Sequence, residues 1–151
     1  MNSSAWKAAG CGVALAIVAG SAFAAPKPED EIRYRQSVFN VIGRNFGGVL
    51  GAIAKGERPY DQAEAVKAAK LVADLSTLPF ASFGPGTDAG ASHKSSPKIW
   101  EDPAKFQSLA DKFQLEAAKL PAAAADLATL KAQVAETGKT CKGCHDEYRL
   151  K

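Results

Sequence analysis

The amino-acid sequence predicts an all-α protein, an antiparallel four-helix bundle formed by residues 25–151. Apolar residues recur every three to four positions in four segments, and no stretch of useful length alternates with the period of two that a strand shows. The first two segments, and likewise the last two, are joined by short connections, which favours antiparallel neighbours. About 127 residues form a single domain that can bury a core without disulfides.

The first predicted helix spans about residues 29–55, where Phe39 and Phe46 belong to its apolar stripe. It stops at Gly56, as helices commonly do. The second begins at Asp61, whose carboxylate suits the N-cap position, with Glu64 three residues on as in a capping box.

Residues 79–101 hold several prolines and glycines and no helical period, so we expect a loop there. A connection this long inside a compact domain is usually functional or covers a site. The third helix begins at Asp102, with Pro103 in its first position, and is expected to end at Pro121. The fourth, about residues 127–148, runs close to the chain end.

Residues 1–24 have the pattern of a cleaved secretory signal peptide. Lys7 precedes an uncharged apolar run over residues 8–20, and Ala-Phe-Ala at 22–24 supplies a cleavage site. The alternative is a membrane anchor, but the run is shorter than the roughly 20 residues that span a bilayer. We therefore expect export to the periplasm, with Cys11 discarded and no membrane attachment after cleavage.

Charge excludes some partners of the mature chain. The sequence has 19 Lys and Arg against 16 Asp and Glu, and removing Lys7 leaves 18 against 16. This small, dispersed surplus gives no case for nucleic acid or an anionic membrane as partner.

Cys141-Lys-Gly-Cys144-His145 is the motif that carries chemistry. On a helix, positions i, i+3 and i+4 share one face, so two thiols and an imidazole project together. This spacing is typical of covalent haem c attachment, in which two thioethers hold the porphyrin. We expect one haem c near the C-terminal helix, with Cys141 and Cys144 as attachment residues and His145 as axial iron ligand.

Two other uses of the cysteines compete with haem attachment. A structural zinc site needs four ligands, for which the mature chain offers only Cys141, Cys144, His145 and His93. A redox dithiol usually lies at a helix N-terminus in a thioredoxin-like setting, whereas these cysteines lie near the end of a helical chain. Both are less favoured.

The sixth coordination position of the iron has few candidates. Met and His are common sixth ligands of c-type cytochromes, yet Met1 is removed with the leader and His93 lies in the long loop. The iron is therefore expected to be five-coordinate and high-spin. Ligation by His93, or by a lysine, remains the alternative.

The mature chain resembles the cytochrome c prime family of bundle cytochromes over nearly all its length. The resemblance rests on Lys-Pro-Glu-Asp at 27–30, Arg-Tyr-Arg-Gln-Ser at 33–37, Pro-Tyr-Asp at 59–61, Leu-Pro-Phe at 78–80, Phe-Gly-Pro-Gly-Thr at 83–87, Ile-Trp at 99–100 and the closing segment 141–149.

The resemblance implies roles for five further residues. Arg35 and Gln36 match the pair that hydrogen-bonds the haem propionates, and a guanidinium suits a carboxylate. Phe39 matches the apolar residue that blocks the distal face, Phe83 a residue of the haem pocket, and Arg149 the basic residue beside the proximal histidine. A solvated helix face, core packing and a charge at the helix end would explain Arg35, Phe39 and Arg149 equally simply.

The sequence departs from the family pattern at two places. Phe80 stands where many relatives have Trp, and residues 89–97, which include His93, form a longer segment than expected. The second departure keeps the six-coordinate alternative open.

Gly43, Gly47 and Gly51 repeat every four residues along the first helix. Each costs about 1 kcal/mol against alanine in an exposed helix interior, so a packing reason is expected. The stripe predicts close approach of another helix, within the bundle or between chains. The resemblance implies an antiparallel homodimer through the first two helices.

The expected function is a periplasmic haem protein that binds nitric oxide and carbon monoxide, transfers electrons to periplasmic redox proteins, or does both. The alternative is a low-spin electron-transfer cytochrome with a loop ligand such as His93. No distal acid–base pair is visible, so an enzyme, such as a nitric oxide reductase or a peroxidase, is the least favoured reading.

Overall fold

The computed structural model describes residues 26–151, so the predicted leader and Cys11 lie outside the described residues. Over the described range the chain is helical, without β-strands and with one isolated β-bridge. In chain order the helices are α1 (Pro28–Asn45), α2 (Ala52–Lys55), α3 (Gln62–Leu75), α4 (Lys98–Glu101), α5 (Pro103–Ala123) and α6 (Leu127–Tyr148).

The helices close a ring around one core. Helix α1 packs against α3, α3 against α5, and α5 against α6, while α2 returns to contact α6. The core contains fully buried side chains from every wall of the ring, namely Leu50, Ile53, Val72, Leu120 and Leu130. The prediction of an all-α four-helix bundle is confirmed.

Aspartate side chains begin three of the bundle helices. Asp61 accepts a hydrogen bond from the backbone N–H of Glu64 at 2.8 Å, and Asp102 accepts one from Lys105 at 3.0 Å. Asp126 accepts two, from Ala128 and Thr129, both at 2.9 Å. These acceptors satisfy N–H groups that the first helical turn leaves without partners.

The first bundle helix is not regular along its length. Between α1 and α2 the chain forms a π-helical segment, Phe46–Gly51, which contains three glycines. Such wide turns are rare and frequently lie at functional sites. The ring of Phe46 lies beside Gly138 of α6, where a Cβ would make an ordinary van der Waals contact with it at 3.9 Å.

Pro121 does not end the third bundle helix, contrary to the prediction. Helix α5 continues through it to Ala123. In the last turn, a proline removes a single backbone hydrogen bond, and only two further residues have to follow the helical path.

The connection over residues 79–101 has more structure than the sequence indicated. A 3-10 helix, Leu78–Ser82, opens it and α4 closes it. Between them the chain pairs with the end of α6: the N–H of Ser96 donates to the carbonyl of Tyr148 at 2.8 Å, and the N–H of Leu150 donates to the carbonyl of Lys94 at 2.8 Å. We call residues 83–97 the strap.

In the part of the chain that the structure describes, no helix combines the length and the apolar character needed to cross a membrane.

Asp126 generates a prediction about stability. Hydrogen bonds from the backbone, chiefly that of Thr129, hold the pKa of Asp126 below its ordinary value. A carboxylate whose pKa is depressed by folding stabilises the fold above its unfolded pKa of about 3.9 and loses this contribution as pH falls through the folded value. Asp126→Ala should therefore lower the melting temperature at neutral pH, by an amount that shrinks in acid.

Asp126→Asn is the control for this experiment, because its amide oxygen still caps α6 but does not titrate. Thermal unfolding followed by circular dichroism from pH 7 to pH 2 measures both variants. A constant difference between Asp126→Ala and the wild type across that range would contradict the prediction.

Candidate functional site

A cavity of about 690 Å³ opens at one end of the bundle, between α1, the 3-10 segment, the strap, α5 and α6. Its volume falls within the range of cofactor and ligand pockets. The structure places all the predicted site residues on its walls: Arg35, Gln36, Phe39, Phe83, Cys141, Cys144, His145 and Arg149, together with His93. Residues that are more than a hundred positions apart in sequence thus meet at one site.

Cys141 and Cys144 lie half-buried on the face of α6 that borders the cavity. Burial raises the pKa of the Cys141 thiol. It raises the pKa of Cys144 to about 11, with the neighbouring Cys141 adding to the effect. Before haem attachment both cysteines would therefore be neutral thiols at physiological pH, unlike the low-pKa thiolates of redox dithiols.

His145 lies next to Cys144 at the cavity wall. Partial burial lowers the pKa of His145, Arg149 lowers it further, and Asp146 opposes the shift. The neutral imidazole is the form that donates a lone pair to a metal ion.

Arg35 is the most unusual side chain of the site, because its charged group is only 1% exposed. Its guanidinium donates to the carbonyls of Ser82 and Thr87, each at 2.8 Å, and to Ser95 Oγ at 3.4 Å. It also lies 4.2 Å from the centroid of the Phe83 ring. Three hydrogen bonds use at most three of the five N–H groups of a guanidinium.

Gln36 and Phe39 lie on the same wall as Arg35. The side-chain amide of Gln36 donates to the carbonyl of Ser92 at 2.9 Å, which ties the strap to α1. The half-buried ring of Phe39 meets Phe80 edge to face, with centroids 5.7 Å apart. Phe80 thus supplies an aromatic wall at the cavity.

His93 faces the cavity, but both of its ring nitrogens are engaged within the strap. Nε2 lies 2.9 Å from the carbonyl of Asp88, and the N–H of Ser95 donates to Nδ1 at 3.1 Å. This pair of contacts fits the neutral tautomer that carries its proton on Nε2.

Sequence reasoning did not assign Gly43, Gly47, Lys94 or Tyr148 to the site, although all of them line the cavity. A Cβ on Gly43 or Gly47 would meet no described atom within 4 Å, apart from neighbours in its own helix. The predicted close approach of a helix within the bundle is therefore wrong at these two glycines, which border the cavity instead. No periodic signal marked Lys94, because it lies in the strap.

The cavity walls suit haem in charge and in shape. Among the described lining residues, Arg35, Lys94 and Arg149 are cationic and none is Asp or Glu. Haem carries two propionates, so a cationic rim beside an aromatic interior complements both of its parts. The hydroxyl of Tyr148 is buried at this wall without a hydrogen-bond partner in the described structure, as is expected beside a group that belongs in the cavity. The residues present therefore fit haem.

The zinc alternative gains no support, since residues 26–151 hold no cluster of three or more His, Cys, Asp and Glu side chains arranged for a metal ion. A helical bundle whose last helix presents Cys-x-x-Cys-His to an aromatic cavity with a cationic rim is a haem protein of the c type.

Comparison with known proteins identifies the family. A sequence model described as Cytochrome C' matches residues 30–149. The cytochrome c' of Rubrivivax gelatinosus is 47% identical over 127 residues, covering 83% of this chain and 98% of the relative. Its crystal structure matches with a TM-score of 0.78, covering 82% of this chain and 97% of that chain.

Two structures of cytochrome c prime variants from Alcaligenes xylosoxidans are each 41% identical. A nitric oxide complex matches with a TM-score of 0.76 over 85% of this chain and 98% of that chain. A carbon monoxide-bound variant matches with a TM-score of 0.75 over 83% and 98%. The chain belongs to the cytochrome c' family, which confirms the resemblance read from its motifs. A member of this family is a haem-binding protein rather than an enzyme of an established class.

Gly47 and Gly48 provide a paired test of the cavity wall. Both are exposed glycines of the π-helical segment with open space at Cβ, but only Gly47 lines the cavity. Gly47→Leu should lower the fraction of exported protein that carries haem, because the added side chain competes for the cavity. Gly48→Leu is the matched control and should leave that fraction unchanged. The ratio of haem absorbance to protein measures both, and equal loss in the two variants would contradict the assignment of Gly47 to the wall.

Proposed function

We propose that the protein is a periplasmic cytochrome that holds one haem c and binds small diatomic gases, with nitric oxide and carbon monoxide as its ligands. Cys141 and Cys144 would hold the haem through thioether bonds, and His145 would be the axial ligand. The observation that carries the proposal is the placement of these three side chains on one wall of an aromatic cavity whose charged lining residues are all cationic.

Haem, when bound, would supply an iron that His145 could ligate and that could take up a gas molecule. The chain's own residues would divide the remaining tasks. Arg35 keeps N–H groups beyond its three hydrogen bonds, and with Gln36 it would bind a propionate. Arg149, whose charge already lowers the pKa of His145, would lie on the proximal side.

Phe39 and Phe83 would form apolar walls of the pocket. Phe39 offers no polar atom to hydrogen-bond bound dioxygen, whereas neutral nitric oxide and carbon monoxide do not require one. The ring of Phe39 packs against Phe80, so an entering ligand has to displace a packed side chain. This arrangement favours gas binding over catalysis that needs proton delivery.

We propose a five-coordinate, high-spin iron. Ligation by His93 requires the loss of its contacts with Asp88 and Ser95, both within the strap. That requirement disfavours the six-coordinate electron-transfer alternative, although His93 borders the cavity. A five-coordinate haem can still exchange electrons with periplasmic redox proteins, which we keep as part of the function.

The homodimer through the first two bundle helices is likewise a proposal. Exposed apolar side chains on α1 and α3 support it: Tyr34 is 45% exposed, Val41 39% and Leu71 37%. Analytical ultracentrifugation of the purified holoprotein should give the mass of a dimer, and the Val41→Glu variant should give the mass of a monomer.

The central prediction is one covalent haem on a processed chain. Mass spectrometry of the exported protein should give the mass of residues 25–151 plus one haem that survives acid–acetone extraction. Cys144→Ala should lose stable haem incorporation, whereas Lys142→Ala, an exposed position inside the same motif, should retain it. A colourless protein containing zinc would overturn the proposal.

The second prediction concerns His93. Ferrous wild-type protein and His93→Ala should show the same five-coordinate, high-spin absorption spectrum, because neither ring nitrogen is free to ligate iron. A low-spin ferrous spectrum that becomes high-spin in His93→Ala would make His93 the sixth ligand.

The third prediction concerns Phe39. Phe39→Ala should bind carbon monoxide and nitric oxide faster, since no ring has to be displaced. Its free energy of unfolding should also fall by about 3 kcal/mol. This value is at the lower end for Phe-to-Ala substitutions because the ring is only half-buried. Phe39→Leu, which keeps most of the bulk, should lie between the two in both measurements. Stopped-flow association rates equal to those of the wild type would assign Phe39 to the core alone.

A further inference from the structure

A second cavity of about 290 Å³ lies beside the haem cavity. The two share four lining residues: Phe80, Phe83, Ile99 and Phe106. The rings of Phe83 and Phe106 lie 4.9 Å apart and those of Phe80 and Phe106 lie 5.9 Å apart, so a single layer of aromatic side chains separates the cavities. We call this second cavity the aromatic groove.

The remaining lining of the aromatic groove offers little to a polar ligand. Pro85 and Pro103 are apolar, and the indole N–H of Trp100 already donates to the carbonyl of Gly84 at 3.2 Å. The amide nitrogen of Gln107, at the outer rim, donates to Asp111 at 2.7 Å. The groove opens to solvent beside the exposed Pro85, Pro103 and Gln107, and its lining offers water few hydrogen-bond partners, which favours small apolar molecules.

We infer that the aromatic groove is a binding site for small neutral gases, from which a diatomic ligand reaches the haem cavity through the shared aromatic layer. The inference rests on the proposed gas-binding function. Its volume is ample, because an apolar cavity of about 150 Å³ already binds xenon. Phe80 and Phe83 line both cavities, so a turn of either ring would open a path for a diatomic.

Xenon is the probe for this site, since it is apolar, comparable in size to a diatomic gas and visible by X-ray diffraction. Crystals of the holoprotein under xenon pressure should show a xenon atom in the groove. Gln107→Trp should lose it, because the indole covers the rim from α5. Ser108→Trp is the matched control: it adds the same exposed bulk one position further along α5, where neither cavity is lined, and should keep the xenon.

Carbon monoxide association after flash photolysis supplies the second readout. Xenon should slow association several-fold in the wild type and in Ser108→Trp. In Gln107→Trp without xenon, carbon monoxide association should be as slow as in the xenon-treated wild type, and xenon should not slow it further. The inference is overturned if xenon is absent from the wild-type groove, if groove-bound xenon leaves association unchanged, or if xenon still slows Gln107→Trp. A wild-type holoprotein that binds no carbon monoxide would instead overturn the proposed function, and this inference with it.

Discussion

The shape of the site depends on one buried positive charge. At 1% exposure the guanidinium of Arg35 has lost its water, and burial lowers its pKa, yet a guanidinium stays charged in proteins. It therefore needs oxygen acceptors. It finds them at Ser82, where the 3-10 segment ends, and at Thr87 and Ser95 in the strap. The ring of Phe83 covers its face. A chain segment without helical period is thus fixed in place by the need to solvate a single cation.

The backbone bridge between the strap and the end of α6 completes this arrangement. Because Ser96 binds the carbonyl of Tyr148 and Leu150 binds that of Lys94, the strap is joined to the last turn of the helix that carries the haem motif. Arg149 lies inside the bridge, opposite Ser95. The bridge therefore brings Lys94 and Arg149, which are far apart in the sequence, to the same cavity rim. Neither cation has an acidic partner among the described lining residues, which leaves both available to an anionic group.

The sequence was sufficient to predict those features of the structure that depend on interactions between residues close together in the chain. The aspartate cap at Asp61 and the start of a helix at Asp102 were predicted because helix starts depend on residues only a few positions apart. The shared face of Cys141, Cys144 and His145 followed from helical spacing, and the structure places all three at the cavity. The roles of Arg35 and Phe39 came from the family resemblance alone, since a charge or a ring on an amphipathic helix has simpler explanations.

Non-local features were not predictable. The glycine repeat was interpreted as a helix contact because the sequence shows one helix at a time, whereas only the assembled bundle reveals that Gly43 and Gly47 border a cavity. The π-helical segment has no sequence period of its own. The order of the strap comes from partners more than forty residues away, Arg35 and Tyr148, so its composition indicated a loop and nothing more.

The two ends of the bundle differ in how they are stabilised, and this difference connects fold with function. The core cluster that contains Leu50, Leu120 and Leu130 is mostly aliphatic, and these three side chains are fully buried. At the cavity end of the bundle, the aromatic rings of Phe80 and Phe106 line the cavity, so part of their surface has no protein atoms packed against it. A covalently held group that fills that cavity packs against these rings only in the folded chain, so its burial stabilises the fold.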